Sequence, residues 1–163
     1  MNVTFVRKTA GRIFVGLTLL TISASADARQ TGAFSGIPLD NSSWSCFSEQ
    51  AGGVVGTGAP GCVGTPFSDS PRWEMQIPMD ASTSTTITVN IRGDGTTGPT
   101  CTSYTVDGNG TIVGHVGPVT NTTTSFLPKA LGASGLTGGY HVFVVCGHLT
   151  NSNTAVGTVS WTP

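Results

Sequence analysis

Charged side chains are scarce in this sequence, and their scarcity excludes several functions. Lysine and arginine number 7 and aspartate and glutamate 8, so only 9% of the 163 residues are charged. A surface that binds nucleic acid needs clustered basic residues to offset the phosphate charge. We therefore predict no nucleic-acid partner, because the basic residues after position 26 stand singly, at Arg29, Arg72, Arg92 and Lys129.

Long apolar runs are also missing, since a transmembrane helix needs roughly 20 apolar residues. The stretch from Ile13 to Ile22 is shorter; basic residues precede it, and the small residues Ser23 to Ala26 follow it. This order is typical of a secretory signal peptide. We predict that residues 1–26 are cleaved and that the mature protein is secreted, extracellular or periplasmic, with no membrane span. Cleavage leaves four basic against eight acidic side chains, a net charge of −4.

The four cysteines all follow residue 26, and none belongs to a C-x-x-C pair. Irregular spacing disfavours a zinc site, whereas an even number in an exported chain indicates two disulfides. Three pairings are possible. We favour Cys46–Cys62, which brackets a glycine-rich loop, and Cys101–Cys146, which joins two predicted strands. In the chain-entropy model each bond contributes roughly 3–4 kcal/mol.

Few helix-forming residues follow the signal, whereas glycine and β-branched residues are abundant. Trp73, Met75 and Ile77 alternate with polar residues, and Ile87 to Ile91 repeats the pattern. Period-two alternation predicts strands with one apolar face. We predict an all-β fold, an antiparallel β-sandwich or jelly-roll-like single domain over residues 42–163, with residues 27–41 as a flexible lead-in.

Turn signals divide the chain into seven or eight predicted strands. We expect two hairpins, one turning at Asp107 to Gly110 and one at Thr150 to Asn153. We expect a helical turn only at Lys129 to Ser134. The strands are predicted at residues 53–57, 72–79, 85–92, 101–106, 111–119, 122–127, 139–149 and 154–161.

Signatures of catalysis are missing as well. The sequence has no G-x-S-x-G motif, and after residue 26 its carboxylates are Glu49, Glu74 and six aspartates. His141 and His148 differ by an odd number, so in an unbroken strand they point to opposite faces. We predict no catalytic residue, cofactor or metal site. The alternative is a small secreted hydrolase with a loop-built site near His115, His141 or His148.

Three short motifs have simpler explanations than the functions that they suggest. Arg92-Gly93-Asp94 is the tripeptide that integrins recognise, but glycine and aspartate after a strand are ordinary turn residues. Asp107 to Thr111 spaces oxygen donors like part of a calcium loop, but it lacks the distal glutamate. The N-glycosylation pattern at Asn41, Asn109 and Asn121 is frequent by chance in threonine-rich chains.

Because the sequence shows no signature of catalysis, of a cofactor or of a metal site, a binding or structural role remains. We predict a secreted non-catalytic module whose loops contact an extracellular polysaccharide or protein. Exposed edge strands could also pair between copies. Trp73 and Trp161 share strand faces with apolar residues and are expected in the core. The candidate ligand-contact residues are Trp44, Arg92, Asp94, His141 and His148.

Overall fold

The computed structural model describes residues 29–39, 41–50, 52–60, 62, 71–78, 86–133 and 140–162. Within these ranges the chain forms eleven β-strands and two 3-10 helices, at Ala33–Ser35 and Asn41–Cys46. The predicted signal peptide, residues 1–26, lies outside the described residues. The strands are β1 (Arg29–Gly32), β2 (Ile37–Pro38), β3 (Phe47–Gln50), β4 (Gly53–Gly56), β5 (Trp73–Ile77), β6 (Thr86–Arg92), β7 (Thr100–Val106), β8 (Ile112–Thr120), β9 (Leu127–Gly132), β10 (His141–Gly147) and β11 (Ala155–Trp161).

The strands form two antiparallel sheets, so the prediction of an all-β antiparallel fold is confirmed. The first sheet has the order β3-β4-β11-β6-β9, with β1 also paired to β11. The second sheet has the order β2-β5-β10-β7-β8. Of the described strands, β3 and β4, and likewise β7 and β8, pair with their sequence neighbour. Every other connection between consecutive strands passes from one sheet to the other.

The two sheets share one hydrophobic core, which the alternating residues build. Ile87, Val89 and Ile91 point inward from the first sheet and are fully buried. Met75 and Val144 oppose them from the second sheet and are equally buried. Each such side chain stabilises the fold by about 1.5–3 kcal/mol through removal from water.

Both predicted disulfide pairings are confirmed. Cys101 and Cys146 are direct partners in the register of β7 and β10, and both face the core. Cys46 closes the second 3-10 helix and is bonded to Cys62, 16 residues further along the chain. The second sheet therefore has a covalent link at its centre, and the connection after β4 is tied back to the segment before β3. Two disulfides fit an oxidising compartment.

The N-terminal segment differs from the flexible lead-in that we expected over residues 27–41. β1 pairs with β11 in the first sheet, and β2 pairs with β5 in the second. Ala33, between them, is fully buried, and its carbonyl oxygen accepts a 2.8 Å hydrogen bond from Trp73 Nε1. Residues 29–38 therefore join both sheets, although few side chains in this stretch show strand alternation.

The predicted strand at 122–127 is wrong, because that stretch is a loop and β9 begins at Leu127. Threonine-rich sequence suggested a strand, but the side chain of Asn121 binds the backbone of this loop. The helical turn predicted at Lys129 to Ser134 is also wrong as far as Gly132, where the chain is extended. Leu131 alone in β9 is buried, so the strand shows no alternation in sequence.

The second predicted hairpin is wrong in topology. A turn does lie at the expected place, where Thr154 N–H donates to the Asn151 carbonyl at 3.1 Å. However, β10 pairs with β5 and β7, whereas β11 pairs with strands of the first sheet. His148 has a φ of +63°, and Leu149 is buried after it. This bend directs the chain from one sheet into the other instead of back along β10.

Candidate functional site

Two regions could contact a ligand: the loops at one end of the sheets, and the outward side of the second sheet. We call the first region the loop end; it comprises residues 93–99, 121–126 and 148–154. The loop end contains Arg92-Gly93-Asp94 at its junction with β6. The loop end is a candidate binding site only if the side chains of Arg92 and Asp94 are free to contact a ligand.

The Arg92 guanidinium is held within the molecule. Its Nε donates to the Asn153 carbonyl at 2.9 Å, and a terminal nitrogen donates to the Ser152 carbonyl at 3.3 Å. The same group lies 5.1 Å from the ring centroid of Phe126, a cation–π distance. Arg92 therefore links the turn before β11 to the loop before β9.

Asp94 is bound even more completely. One carboxylate oxygen accepts from the backbone N–H groups of Thr97 and Thr96, at 2.7 and 2.9 Å. The other accepts from the Asn151 amide at 2.8 Å and from the Thr97 hydroxyl at 3.0 Å. These bonds, the one from Thr97 N–H above all, hold the pKa of Asp94 well below its ordinary value of 3.8. Both charged side chains of the tripeptide thus have partners inside the protein.

The side chain of Asn121 fixes its own loop to the end of β6. It is 3% exposed, and its amide donates to the carbonyls of Ile91 and Ser125 at 2.6 and 2.9 Å. Its carbonyl oxygen accepts from the backbone and the hydroxyl of Thr123. Because the side-chain nitrogen of Asn121 is buried and donates two hydrogen bonds, a glycosylating enzyme cannot reach it in the folded state. Asn109, in contrast, lies exposed in the β7–β8 turn, where Asp107 caps the backbone of Asn109 and Thr111.

The three histidines lie apart from one another. His115 is exposed on β8 and His141 is exposed at the start of β10, with β7 between these two strands. His148 follows β10 and is partly buried, and its Nδ1 atom has no hydrogen-bond partner among the described residues. Across the described part of the chain, no group of three or more histidine, cysteine, aspartate or glutamate residues could hold a metal ion.

The tryptophans divide as the sequence predicts. Trp73 and Trp161 are 2% and 6% exposed and belong to the core. Trp44 is 54% exposed, and its ring meets that of Trp73 edge-on with centroids 6.0 Å apart. Phe47 packs on the same Trp73 ring at 5.1 Å. Trp44 is therefore an exposed aromatic side chain anchored at its inner edge by the core.

The outward side of the second sheet is the more unusual surface. The register places Phe143 beside Tyr104 and Val145 beside Glu74. Outward positions of an antiparallel sheet that faces water are normally polar. Here four of the five strands, β2, β7, β8 and β10, carry outward apolar side chains on or directly beside them, while β5 contributes the polar Glu74 and Gln76. We call these apolar residues the apolar face; they are Ile37, Leu39, Tyr104, Val106, Ile112, Phe143 and Val145.

A groove of about 270 Å³ runs along the apolar face, and Arg72 and Glu74 stand on its wall. Neither charged side chain has a hydrogen bond or ion pair with another described residue. Partial burial raises the pKa of Glu74 above its ordinary value of 4.5. Leu39 and Ile112, which line the groove, are 43% and 59% exposed. Ile37, the register partner of Glu74 on β2, is 56% exposed. The groove therefore combines apolar surface with two charges that have no partner in the described part of the chain.

Our reading of the sequence missed this face, although a signal for it exists. In β10, Val142 and Val144 are buried while Phe143 and Val145 point outward, so the strand is apolar on both sides. Continuous apolar runs are typical of strands covered on both faces. The run from Val142 to Val145 lies within the predicted strand at residues 139–149. Its outward residues could have been identified as a surface that another molecule covers.

No protein-family model matches this chain, and no curated protein matches it. The candidate surfaces consequently rest on their own geometry. In the described part of the chain, no helix has both the length and the apolar character needed to cross a bilayer.

Proposed function

We propose that this protein is a secreted, non-catalytic binding module that takes its ligand on the apolar face. The observation behind the proposal is the groove between Leu39 and Ile112, lined by Phe143 and Tyr104. Binding sites are concave and mostly apolar, with a few polar groups that fix orientation. Arg72 and Glu74 supply such groups here.

The loop end is less suited to binding a ligand than the apolar face, and this difference supports the proposal. Recognition residues are often placed on loops, and Arg92 and Asp94 were our candidates on that ground. Their hydrogen bonds to residues 96–97 and 151–153 are already made within the chain. A ligand would have to replace these bonds. On the apolar face it would instead cover half-buried apolar side chains and meet two charges that have no partner among the residues described.

Secretion is part of the same proposal. The two disulfides fit export through an oxidising compartment. The basic residues, the short apolar stretch and the small residues up to Ala26 support a cleaved signal peptide, and the wider architecture that we propose is a single sandwich or jelly-roll-like domain. The ligand class that we propose is an extracellular protein or polysaccharide.

A retention experiment tests the binding surface. The exported protein is immobilised and exposed to a glycan array and to the native extracellular proteins, alongside the variants Phe143→Ser and Leu127→Ser. Leu127 is a matched control, because it is 38% exposed but belongs to β9 in the other sheet. We expect a ligand that wild type and Leu127→Ser retain and that Phe143→Ser loses. Ligand binding that Phe143→Ser leaves unchanged would contradict the proposal, and so would a complete absence of binding.

A further inference from the structure

We propose that a second copy of this chain occupies the apolar face, with the two copies packed face to face across a two-fold axis. This inference rests on the proposed function, because it names the partner of the same surface. It depends on three observations: the charges on the face, the condition of the sheet edges and the size of the surface.

The charges on the face complement themselves. Glu74 lies on β5 and Arg72 directly precedes this strand, so the two are two residues apart in extended chain, with Cα atoms roughly 7 Å apart, and both line the groove. Leu39 N–H donates to the Arg72 carbonyl at 2.8 Å, and Ile37 pairs with Glu74, so both charges stand beside exposed apolar residues. A two-fold axis between Arg72 and Glu74 places each opposite its counter-ion in the other copy.

The second copy supplies a counter-charge for the Glu74 carboxylate in this arrangement. Its carboxylate is partly buried against the groove, and within the described residues nothing neutralises it. Desolvated charges in proteins are usually paired, and an arginine opposite a carboxylate can donate two parallel hydrogen bonds. Arg72 of the second copy is a donor of this kind, and the reciprocal contact satisfies the second carboxylate. One positive and one negative charge on each face also leave no net repulsion between the copies.

The sheet edges disfavour the other route to self-association. β2 is only two residues long and ends in Pro38, and β9 contains Pro128. β8 has a register shift opposite β7 that leaves Val113 unpaired, and it also contains Pro118. β3 is four residues long with an exposed Glu49. Short edges, bulges, prolines and charges are the devices that prevent pairing between sheets. The two charges on the apolar face, Arg72 and Glu74, differ from these devices because they are of opposite sign and can pair with those of a second copy.

The area of the apolar face determines how tightly two copies are expected to bind each other. Five strands about 4.8 Å apart and roughly six residues long cover about 20 by 20 Å, or roughly 400 Å² on each copy. Stable interfaces bury about 800 Å² on each partner. We therefore expect a weak, reversible dimer with a dissociation constant in the micromolar range or above, which dilution separates.

Charge reversal provides the test. Sedimentation equilibrium of the exported protein, over micromolar to millimolar concentrations, measures the dimer dissociation constant for wild type, Arg72→Glu and Glu74→Arg. Each reversal sets like charges opposite one another, and we expect it to weaken the dimer about tenfold or more. An equimolar mixture of the two variants restores both ion pairs, and we expect it to associate within about twofold of wild type. Lys129→Glu, a reversal on β9, serves as the control and should leave the dimer unchanged.

The possible failures are distinguishable. Wild-type protein that stays monomeric at millimolar concentration overturns the inference, and so does a dimer that both reversals leave intact. If the protein is monomeric but Phe143→Ser still loses a ligand that wild type retains, the second copy is excluded and the proposed binding surface stands. If it is monomeric and no ligand depends on Phe143, both proposals fail.

Discussion

Asp94 at the loop end accepts four hydrogen bonds, whereas Glu74 on the apolar face has no partner among the described residues. The pKa of Asp94 is lowered by those bonds, and the pKa of Glu74 is raised by partial burial. Folding therefore favours the charged form of the Asp94 carboxylate and disfavours the charged form of the Glu74 carboxylate. A region whose charges are satisfied internally serves the fold, and a region that leaves a charge desolvated is suited to a partner.

The same contrast extends to the neighbouring residues. At the loop end, the side-chain amide of Asn121 connects its loop to β6, and that of Asn151 connects the turn before β11 to Asp94. On the apolar face, the half-buried rings of Phe143 and Tyr104 form a groove without any such network. Substitutions at the loop end should therefore change stability, whereas substitutions on the apolar face should change association. The predictions below test that division.

The largest effect is expected for Gly98→Ala at the loop end. A Cβ atom at Gly98 would lie 1.7 Å from the Asn121 carbonyl oxygen, so the two loops would have to separate. We expect the free energy of unfolding to fall by about 3 kcal/mol, measured by urea denaturation. Gly108→Ala is the matched control, because a Cβ there meets nothing within 4 Å. Its effect should stay within about 0.5 kcal/mol, and equal losses in both variants would contradict close packing of the loop end.

A smaller loss is expected for Asn121→Ala. The change removes the partner of the Ile91 carbonyl in a buried position and that of the Thr123 backbone N–H in a partly buried one. Leaving buried polar groups unsatisfied should cost about 2 kcal/mol in the same urea experiment.

Asn109→Ala is the control for this substitution, because Asn109 also lies in a glycosylation pattern but is exposed in a turn. We expect it to change stability by less than about 0.5 kcal/mol. If both asparagine variants unfolded alike, the loop end would not depend on Asn121.

Most of the elements that the sequence predicts well are strands with one buried face; β4, buried throughout, and β8, which has no buried residue, are the exceptions. Seven of the strands, from β4 to β8 and then β10 and β11, lie within two residues of their predicted bounds. In β6, for example, buried and partly exposed residues alternate through Ile87, Val89 and Ile91. Both disulfides followed from the position of cysteines in such strands and around one glycine-rich loop. Period-two patterning therefore determined most of the secondary structure.

The remaining features depend on contacts between distant residues. β9 begins at Leu127 and not at the predicted residue 122. The reason is that Asn121 binds Ile91, 30 residues away, and thereby holds residues 121–126 as a loop. Pairing of β10 and β11 with different sheets cannot be read from the turn between them. The apolar face requires the register that places Phe143 beside Tyr104. Local propensity is silent on all three, since each arises from tertiary packing.

The smallest and most specific effect is a pair of opposite pH dependences. Because the pKa of Asp94 is lower in the folded state, its stabilisation is complete above about 3.8 and disappears as pH falls through the folded pKa. Asp94→Asn should therefore be less stable than wild type at neutral pH, and the difference should shrink in acid. The pKa of Glu74 is raised, so its carboxylate destabilises the fold at neutral pH, and protonation relieves this as pH falls toward 4.5.

Glu74→Gln should accordingly be more stable than wild type at neutral pH and equal to it in acid. Thermal melts at several pH values between 2 and 7 measure both differences, and they should be recorded on dilute protein, because any bound partner at Glu74 would supply the missing counter-charge. If Glu74→Gln were destabilising at neutral pH in the monomer, Glu74 would have an internal partner. The contrast with Asp94 would then disappear, and with it the charge argument for a second copy on the apolar face.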